Sequence, residues 1–264
     1  MLDAGSQAEA TRFQGVTVPC LSTRPLTFVI PAKEEGRFIG RTLRLLLATR
    51  DQDGLDFDVV VVDGGSSDDT VEQAALADCI IVDSELGRKS IGYARNVGAG
   101  QTSAEFLFHT DADVLFPELA SFLGKVTSAF NDSAVVAVTT RLMPYPWEAR
   151  RRDRAMHRLA NALIRGSLRC GAFLAKGECQ IVRRSAFEAV GGYNGDIVAG
   201  EDCDLFYRLN RIGRIVYIAD HCVYHSPRRF RQVGYTTIIG IYAREAISLI
   251  VRGRSFLAEW PVVR

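Results

Sequence analysis

Four short apolar runs, Leu26–Ile30, Phe57–Val62, Cys79–Val82 and Phe106–Phe108, punctuate the first part of the chain. They recur roughly every 25 to 30 residues, about the length of one strand–helix unit. Between them, Gly36–Thr49 sets Ile39, Leu43, Leu46 and Leu47 on one helical face, and Arg88–Ala99 reads as a second helix. The runs are continuous rather than alternating, which marks strands buried on both faces. Right-handed crossovers between such strands predict an α/β fold, a mostly parallel sheet flanked by helices. A chain of 264 residues supplies enough core for one large α/β domain or two small ones.

Ligands of open parallel sheets sit beyond the carboxyl ends of the strands, so the residues leaving each run matter most. The first run ends in Pro31-Ala32-Lys33-Glu34-Glu35, and the second in Asp63-Gly64-Gly65-Ser66-Ser67-Asp68-Asp69-Thr70. In the second, the glycines permit a tight turn, and Ser66 or Ser67 is expected to cap the next helix. The third leads into Asp83-Ser84-Glu85-Leu86-Gly87-Arg88-Lys89, and the fourth into Asp111-Ala112-Asp113. If extended backbone continues past Phe108, Asp111 and Asp113 point the same way, into one small volume. Two such carboxylates suit a hard divalent cation, Mg²⁺ or Mn²⁺, carrying a diphosphate on its open positions. Taken alone, the same three residues describe an acidic turn equally well.

Several function classes are disfavoured. No Gly-x-Gly-x-x-Gly follows the first strand and no P-loop lysine motif is present, against a dinucleotide cofactor and a kinase or ATPase site. Charge is balanced, 32 Lys+Arg against 31 Asp+Glu, so no global field favours nucleic acid. The 6 cysteines are scattered without a Cys-x-x-Cys pair, which predicts a reduced, cytoplasmic protein. The first ten residues have no signal-peptide pattern, and the most apolar stretch, Ile238–Val251, is interrupted by Arg244 and Glu245. The expectation is no transmembrane helix, leaving contact with the cytoplasmic face of a membrane open.

After Pro117 the regular alternation breaks. Ala134–Thr140 reads as a strand. Trp147–Arg169 reads as a helix with an apolar face of Met156, Leu159, Ala160, Leu163 and Ile164, its other face rich in arginine from Arg150 to Arg165. Asp202–Arg211 forms another helix, stopped near Gly213, and Ile215–Ala219 a last strand. The basic helix and the tail from Arg228 have two readings: a solvated face over a core, or a surface meeting anionic lipid or a lipid-phosphate acceptor.

In order along the chain, Val29–Glu35, Val60–Thr70, Ala94-Arg95-Asn96-Val97-Gly98, Thr110–Asp113 and Gly200-Glu201-Asp202 resemble a family 2 glycosyltransferase of the GT-A fold, over about residues 26–227. Each motif is weakly specific by itself; five in this order and spacing are not. The resemblance implies a flexible leader over 1–22 and a single GT-A catalytic domain over 23–227. Residues 23–115 would form its nucleotide-binding half and 116–227 its acceptor half. A basic and apolar tail follows over 228–264.

It further implies a UDP-sugar donor gripped by the loop of Pro31, Ala32 and Glu34. Glu34 would meet the ribose and Asp63 the pyrimidine edge, where a carboxylate can accept from the imide N–H. Asp113 would be the stronger metal ligand, with Asp111 near ribose and metal, and His225 in Tyr224-His225-Ser226-Pro227 a third ligand to Mn²⁺ or Mg²⁺. Arg88 and Lys89, with Arg95 two turns further on, are the candidate diphosphate contacts. Asp202 would be the base that deprotonates an acceptor hydroxyl during transfer with inversion. Its place at a helix start stabilises the carboxylate, so it is expected to act through geometry rather than a raised pKa. Glu201 would orient the acceptor or the metal loop, and Gly177-Glu178-Cys179-Gln180 would line the acceptor side. The acceptor itself, lipid-linked or a glycan, stays open. Alternatives are a sugar-nucleotide pyrophosphorylase, which would need a glycine-rich basic loop after the first strand, and a non-catalytic nucleotide-sugar binding module, which would not need all four acids at Asp63, Asp111, Asp113 and Asp202.

Overall fold

In the computed structural model, residues 11–13, 16–18, 24–83, 90–171 and 174–252 are described. The chain begins with strands β1 (Thr11–Phe13) and β2 (Val16–Val18), paired antiparallel. Then follow β3 (Leu26–Ala32), α1 (Gly36–Asp53), β4 (Phe57–Asp63), α2 (Thr70–Ala75), β5 (Ile80–Asp83), α3 (Ile91–Gly100) and β6 (Phe106–His109). The second half holds β7 (Val114–Leu115), α4 (Leu119–Phe130), β8 (Val135–Pro144), α5 (Arg151–Arg169), β9 (Gln180–Arg183), α6 (Arg184–Ala189), α7 (Glu201–Asn210) and β10 (Arg214–His225). Helices α8 (Arg228–Val233) and α9 (Tyr235–Arg252) close the described chain.

The eight-stranded sheet has the order β5-β4-β3-β6-β9-β8-β10-β7. Neighbours β5, β4, β3 and β6 pair parallel, as do β8 and β10. Strand β9 runs antiparallel to both β6 and β8, and β7 antiparallel to β10. The sheet is therefore mixed and mostly parallel. Hydrophobic runs report burial and not strand direction, so the reversed strands were invisible in the sequence.

Alternation along β3 feeds two cores. Phe28 and Ile30 face α1 and α4, where Phe28 stacks on Phe108 with ring centroids 4.3 Å apart. On the opposite face, Val29 and Val62 meet α3 at Gly98, whose added Cβ would lie 2.5 Å from Val29 Cγ1. Only a residue without a side chain lets the helix approach this closely. Leu107, Val182, Phe187, Tyr193, Leu205 and Phe206 continue this second core beneath α6 and α7.

Three local expectations change. Helix α2 starts at Thr70 with Asp69 at its N-cap, and Ser66 Oγ instead accepts the Glu34 backbone N–H at 3.0 Å. The serine ties two strand-end loops together rather than capping a helix. Helix α3 begins at Ile91, capped by Ser90 Oγ, which accepts from Tyr93 N at 3.1 Å. Strand β10 runs on to His225 through an irregularity between Ile218 and Cys222, well beyond the stretch its sequence suggested. Among the described residues, no helix is long and apolar enough to cross a membrane. Arg88, Lys89, most of residues 1–23 and residues 253–264 lie outside the described residues.

Candidate active site

The parallel register levels three strand ends: Ala32 pairs with Asp63, and Asp63 with Asp83. Pro31 lies opposite Val62, and Ala32 O accepts from Gly64 N at 2.8 Å. Glu34 adopts a left-handed φ of 57°, and its Oε1 accepts from both the backbone N–H and the hydroxyl of Ser67 at 2.8 and 2.9 Å. Asp63 Oδ2 accepts from Gly65 N and Ser66 N, each at 3.0 Å, so the carboxylate is held rigidly. Its other oxygen, Oδ1, is buried with no protein hydrogen-bond partner among the described residues. A buried acceptor without a donor is costly unless a ligand supplies one.

Asp111 and Asp113 are not presented by an extended strand. The backbone turns at Ala112 and Asp113, and the two carboxylates take different cationic partners. Asp111 Oδ1 accepts from Arg95 Nη2 at 2.8 Å, while Arg95 Nη1 donates to Glu201 Oε1 at 3.1 Å. Arg95 also donates to Gly177 O at 3.1 Å and lies against the Tyr193 ring. A Cβ at Gly177 would come within 2.5 Å of Arg95 Nη2, so this close approach needs glycine. With 1% of its side chain accessible, Arg95 is committed to an internal bridge and is not placed as a free diphosphate contact. Arg88 and Lys89, the other cations considered for that role, lie outside the described residues.

Asp113 sits deeper. Burial, opposed by Arg228 and reinforced by Glu35, Asp111 and Glu178, pushes its pKa up to about 8. Arg228 Nε lies 3.6 Å from Asp113 Oδ2, its Nη2 binds the Glu35 carboxylate, and its guanidinium stacks 4.2 Å from the Phe38 ring centroid. Tyr145 Oη donates to Asp113 O at 2.6 Å, fixing the turn.

His225 closes the same region. His157 Nδ1 lies 2.7 Å from Asp153 O, a carbonyl that can only accept, so Nδ1 carries the proton. His157 Nε2, 2.7 Å from His225 Nε2, must then accept, and His225 donates. Both rings are held neutral: burial and Lys176 push His157 down to about 4, and burial with His157 holds His225 well below the usual range. The chain of donors leaves the His225 Nδ1 lone pair free, 3.6 Å from Glu178 Oε1. A neutral imidazole whose second nitrogen is oriented from behind is the usual form of a metal-ligating histidine.

No group of three His, Cys, Asp or Glu is gathered for a metal ion among the described residues, so Asp111, Asp113 and His225 are not a ready-made triad. The donor chemistry nonetheless fits a hard divalent cation: crowded buried carboxylates with raised pKa values beside a free imidazole nitrogen.

Asp202, the second residue of α7, has its backbone carbonyl accepting from Gln180 Nε2 at 3.2 Å. Its Oδ1 accepts from Cys203 N at 2.8 Å. Contrary to the expectation from the helix start, its pKa is raised: burial outweighs Arg95 and the Cys203 N–H. Glu201 beside it is pushed up to about 8 by burial and by Asp202, against Arg95. Lys176, within the field of Glu178 and Asp202, is pushed down to about 8 by burial. Asp204 faces its own helix partner, with Arg208 Nη2 2.6 Å away.

Sequence reasoning passed over Glu35, Tyr145, His157 and Lys176. His157 had no partner at any telling spacing, because its partner is 68 residues away. The left-handed Glu34 sets Glu35 toward Arg228 instead of along its own helix, a consequence of backbone geometry that no motif records.

Comparison with known proteins bears on this arrangement. The mannosyltransferase PcManGT of Pyrobaculum calidifontis, solved with GDP-Man and Mn²⁺, superposes with a TM-score of 0.60 at 20% identity, covering 85% of this chain and 64% of that one. Glucosyl-3-phosphoglycerate synthase of Mycobacterium tuberculosis, solved with Mn²⁺, UDP and glucosyl-3-phosphoglycerate, gives 0.57 at 20% identity, covering 86% of this chain and 79% of that one. TarS of S. aureus, solved with UDP, gives 0.58 at 17% identity, covering 82% and 65%. The fold is thus that of the GT-A glycosyltransferases. The family model for glycosyl transferase family 2 matches residues 27–191, and the chain belongs to that family. The O-antigen chain rhamnosyltransferase WbaN of Salmonella anatum is 27% identical over 183 residues, 64% of this chain. The match covers 56% of WbaN, so the chain spans little more than half of that relative's length.

Proposed function

We propose that this chain transfers a sugar from a nucleotide-sugar, a UDP-sugar in particular, to an acceptor hydroxyl with inversion of configuration. The observation that carries the reading is the Arg95 bridge, 2.8 Å to Asp111 and 3.1 Å to Glu201. It ties Asp111, which follows β6, to the start of α7, where Asp202 lies, and this closeness supports donor and acceptor chemistry at one site.

In this reading Asp63 Oδ1, buried without a donor, accepts from the base N–H, and Glu34 orients the ribose. Asp111, Asp113 and His225 would hold a divalent cation, Mn²⁺ or Mg²⁺, that neutralises charge on the leaving diphosphate. Asp202 takes the proton from the acceptor hydroxyl, and its raised pKa makes it a better base than an ordinary aspartate. Pro31 and Ala32 would pack against the nucleotide, and Arg88 and Lys89, which lie outside the described residues, are the cations proposed to meet the diphosphate. The likeness to an O-antigen rhamnosyltransferase supports a glycan or lipid-linked acceptor, with the enzyme at the cytoplasmic face of a membrane as a peripheral protein. The Mn²⁺ and nucleotide complexes of structural neighbours support the metal and the donor class.

The test is UDP release by the purified protein from UDP-sugars, with Mn²⁺, with Mg²⁺ and with chelator. Turnover that requires the metal and is lost in Asp202→Asn, with donor-induced thermal stabilisation retained, supports the reading. Metal-independent turnover, or an Asp202→Asn variant with normal turnover, overturns it.

A further inference from the structure

Helix α5 departs from its hydrophobic pattern: Ile164 is buried and Met156 and Ala160 are half-buried as expected, but Leu159 and Leu163 are exposed. Its buried residues are Asp153, His157, Asn161 and Ile164, three of them polar. The inner face is functional: His157 backs His225, and Asn161 brackets Leu142 through both N–H and C=O at 3.1 and 2.9 Å. Leu159 and Leu163, expected in the core, instead stand 53% and 54% exposed, one turn apart on the outer face. Leu174, 43% exposed, is held beside the last turn of α5 by its N–H to Ser167 Oγ, 2.7 Å. Trp147, 57% exposed in the turn leading to α5, stacks on Tyr145 and under Arg41.

One charge sign flanks this stripe. Arg151, Arg154, Arg158 and Arg165 are exposed. The only acid of the helix, Asp153, is buried against Arg231, so its negative charge is withdrawn from the outer face. A helix serving only as a solvated cover would turn its leucines inward. A nucleic-acid surface would use the arginines but leave the leucines without a purpose. Arginines beside an exposed leucine row with an aromatic residue at one end are the composition of a helix lying in a lipid interface.

We propose that the outer face of α5, with Trp147 and Leu174 at its ends, docks the chain onto an anionic lipid bilayer. Leu159 and Leu163 enter the acyl boundary and the arginines meet the lipid phosphates. Leu174 runs directly into Lys176 and Glu178, so docking turns the acceptor side of the site toward the membrane. The inference rests on the peripheral contact in the reading above and is independent of the chemistry assigned to Asp202.

Co-sedimentation with vesicles of phosphatidylcholine alone and with about a quarter phosphatidylglycerol tests it. The chain is expected to sediment with the anionic vesicles only. Arg158→Gln with Arg165→Gln should lower partitioning by roughly 25-fold, about fivefold per arginine. Leu159→Gln with Leu163→Gln should also release it. UDP-induced thermal stabilisation, unchanged in both double variants, shows that the site is intact. Equal sedimentation with both vesicle types, or no loss in either double variant, overturns the proposal. So does a dimer in solution that Leu159→Gln with Leu163→Gln dissociates while vesicle binding persists, because the stripe would then belong to a second copy. If wild type binds anionic vesicles but no UDP, the docking surface stands and the donor reading falls.

Discussion

His157 Nε2 stands 2.7 Å from His225 Nε2, and the Asp153 carbonyl behind His157 decides which of the two rings donates. One backbone oxygen thereby sets the free nitrogen of His225, two residues removed along the hydrogen-bond chain. His157→Phe keeps the ring volume and removes that control. We expect it to weaken Mn²⁺-dependent stabilisation by UDP about 10- to 100-fold in a metal titration read by thermal shift. Unchanged metal dependence would show that the pair serves packing alone.

Asp202→Asn should lower transfer by about 10² to 10⁴-fold, the range of a lost general base, with donor affinity nearly unchanged. Steady-state UDP release separates the two effects. A rise in KM for the donor with kcat preserved would move Asp202 out of the base role.

Arg95→Met removes the cation between Asp111 and Glu201 and leaves buried carboxylates facing one another. Breaking such a pair from one side costs about 3–5 kcal/mol, so the urea midpoint should fall steeply. Arg95→Lys, which keeps the charge but not the forked geometry, should lie between. A loss under 1 kcal/mol for Arg95→Met would mean that the bridge is dispensable.

Asp153 is tied to the C-terminal helices. Tyr235 Oη donates to its Oδ1 at 2.6 Å, Arg231 Nη2 to its Oδ2 at 2.7 Å, and Arg150 N to the same oxygen at 2.9 Å. Burial would raise its pKa, but these hydrogen bonds outweigh burial and hold it down to about 2. A depressed carboxylate contributes stability that is complete above its unfolded pKa, near 4, and is lost as pH falls through about 2. Asp153→Asn should cost about 2 kcal/mol at neutral pH and flatten this acid limb. Chemical denaturation at a series of pH values measures both, and an unchanged limb would assign acid lability elsewhere.

Gly98→Ala should cost about 1–3 kcal/mol, because its Cβ would press on Val29 Cγ1 at 2.5 Å and on Val62 Cγ2 at 2.8 Å. Full stability in a thermal melt would show that α3 can shift away from the sheet.

The first half of the sheet, β3 to β6, was legible because its signals are local. The runs that became β3, β4, β5 and β6 sit within a residue or two of their expected ends, and the polar residues after them follow from that placement. The part after β6 was less legible. There β9 inserts antiparallel between two parallel groups, and α5 buries aspartate, histidine and asparagine while exposing Leu159 and Leu163. A periodic pattern predicts which residues prefer burial; it does not know that a polar pocket beneath the helix will repay burying polar side chains with hydrogen bonds.

The strand–helix alternation from β3 to β6, the family and the acids that leave those strand ends were determined by sequence alone, since each depends on residues within one or two turns of one another. Tertiary structure decided the pairings: Arg95 buried as a bridge between Asp111 and Glu201, Arg228 set beside Asp113 and Glu35, and Asp202 raised rather than stabilised. These depend on distance and desolvation between residues far apart in the chain, and a helix-end dipole, strong at the surface, is outweighed once the carboxylate is buried.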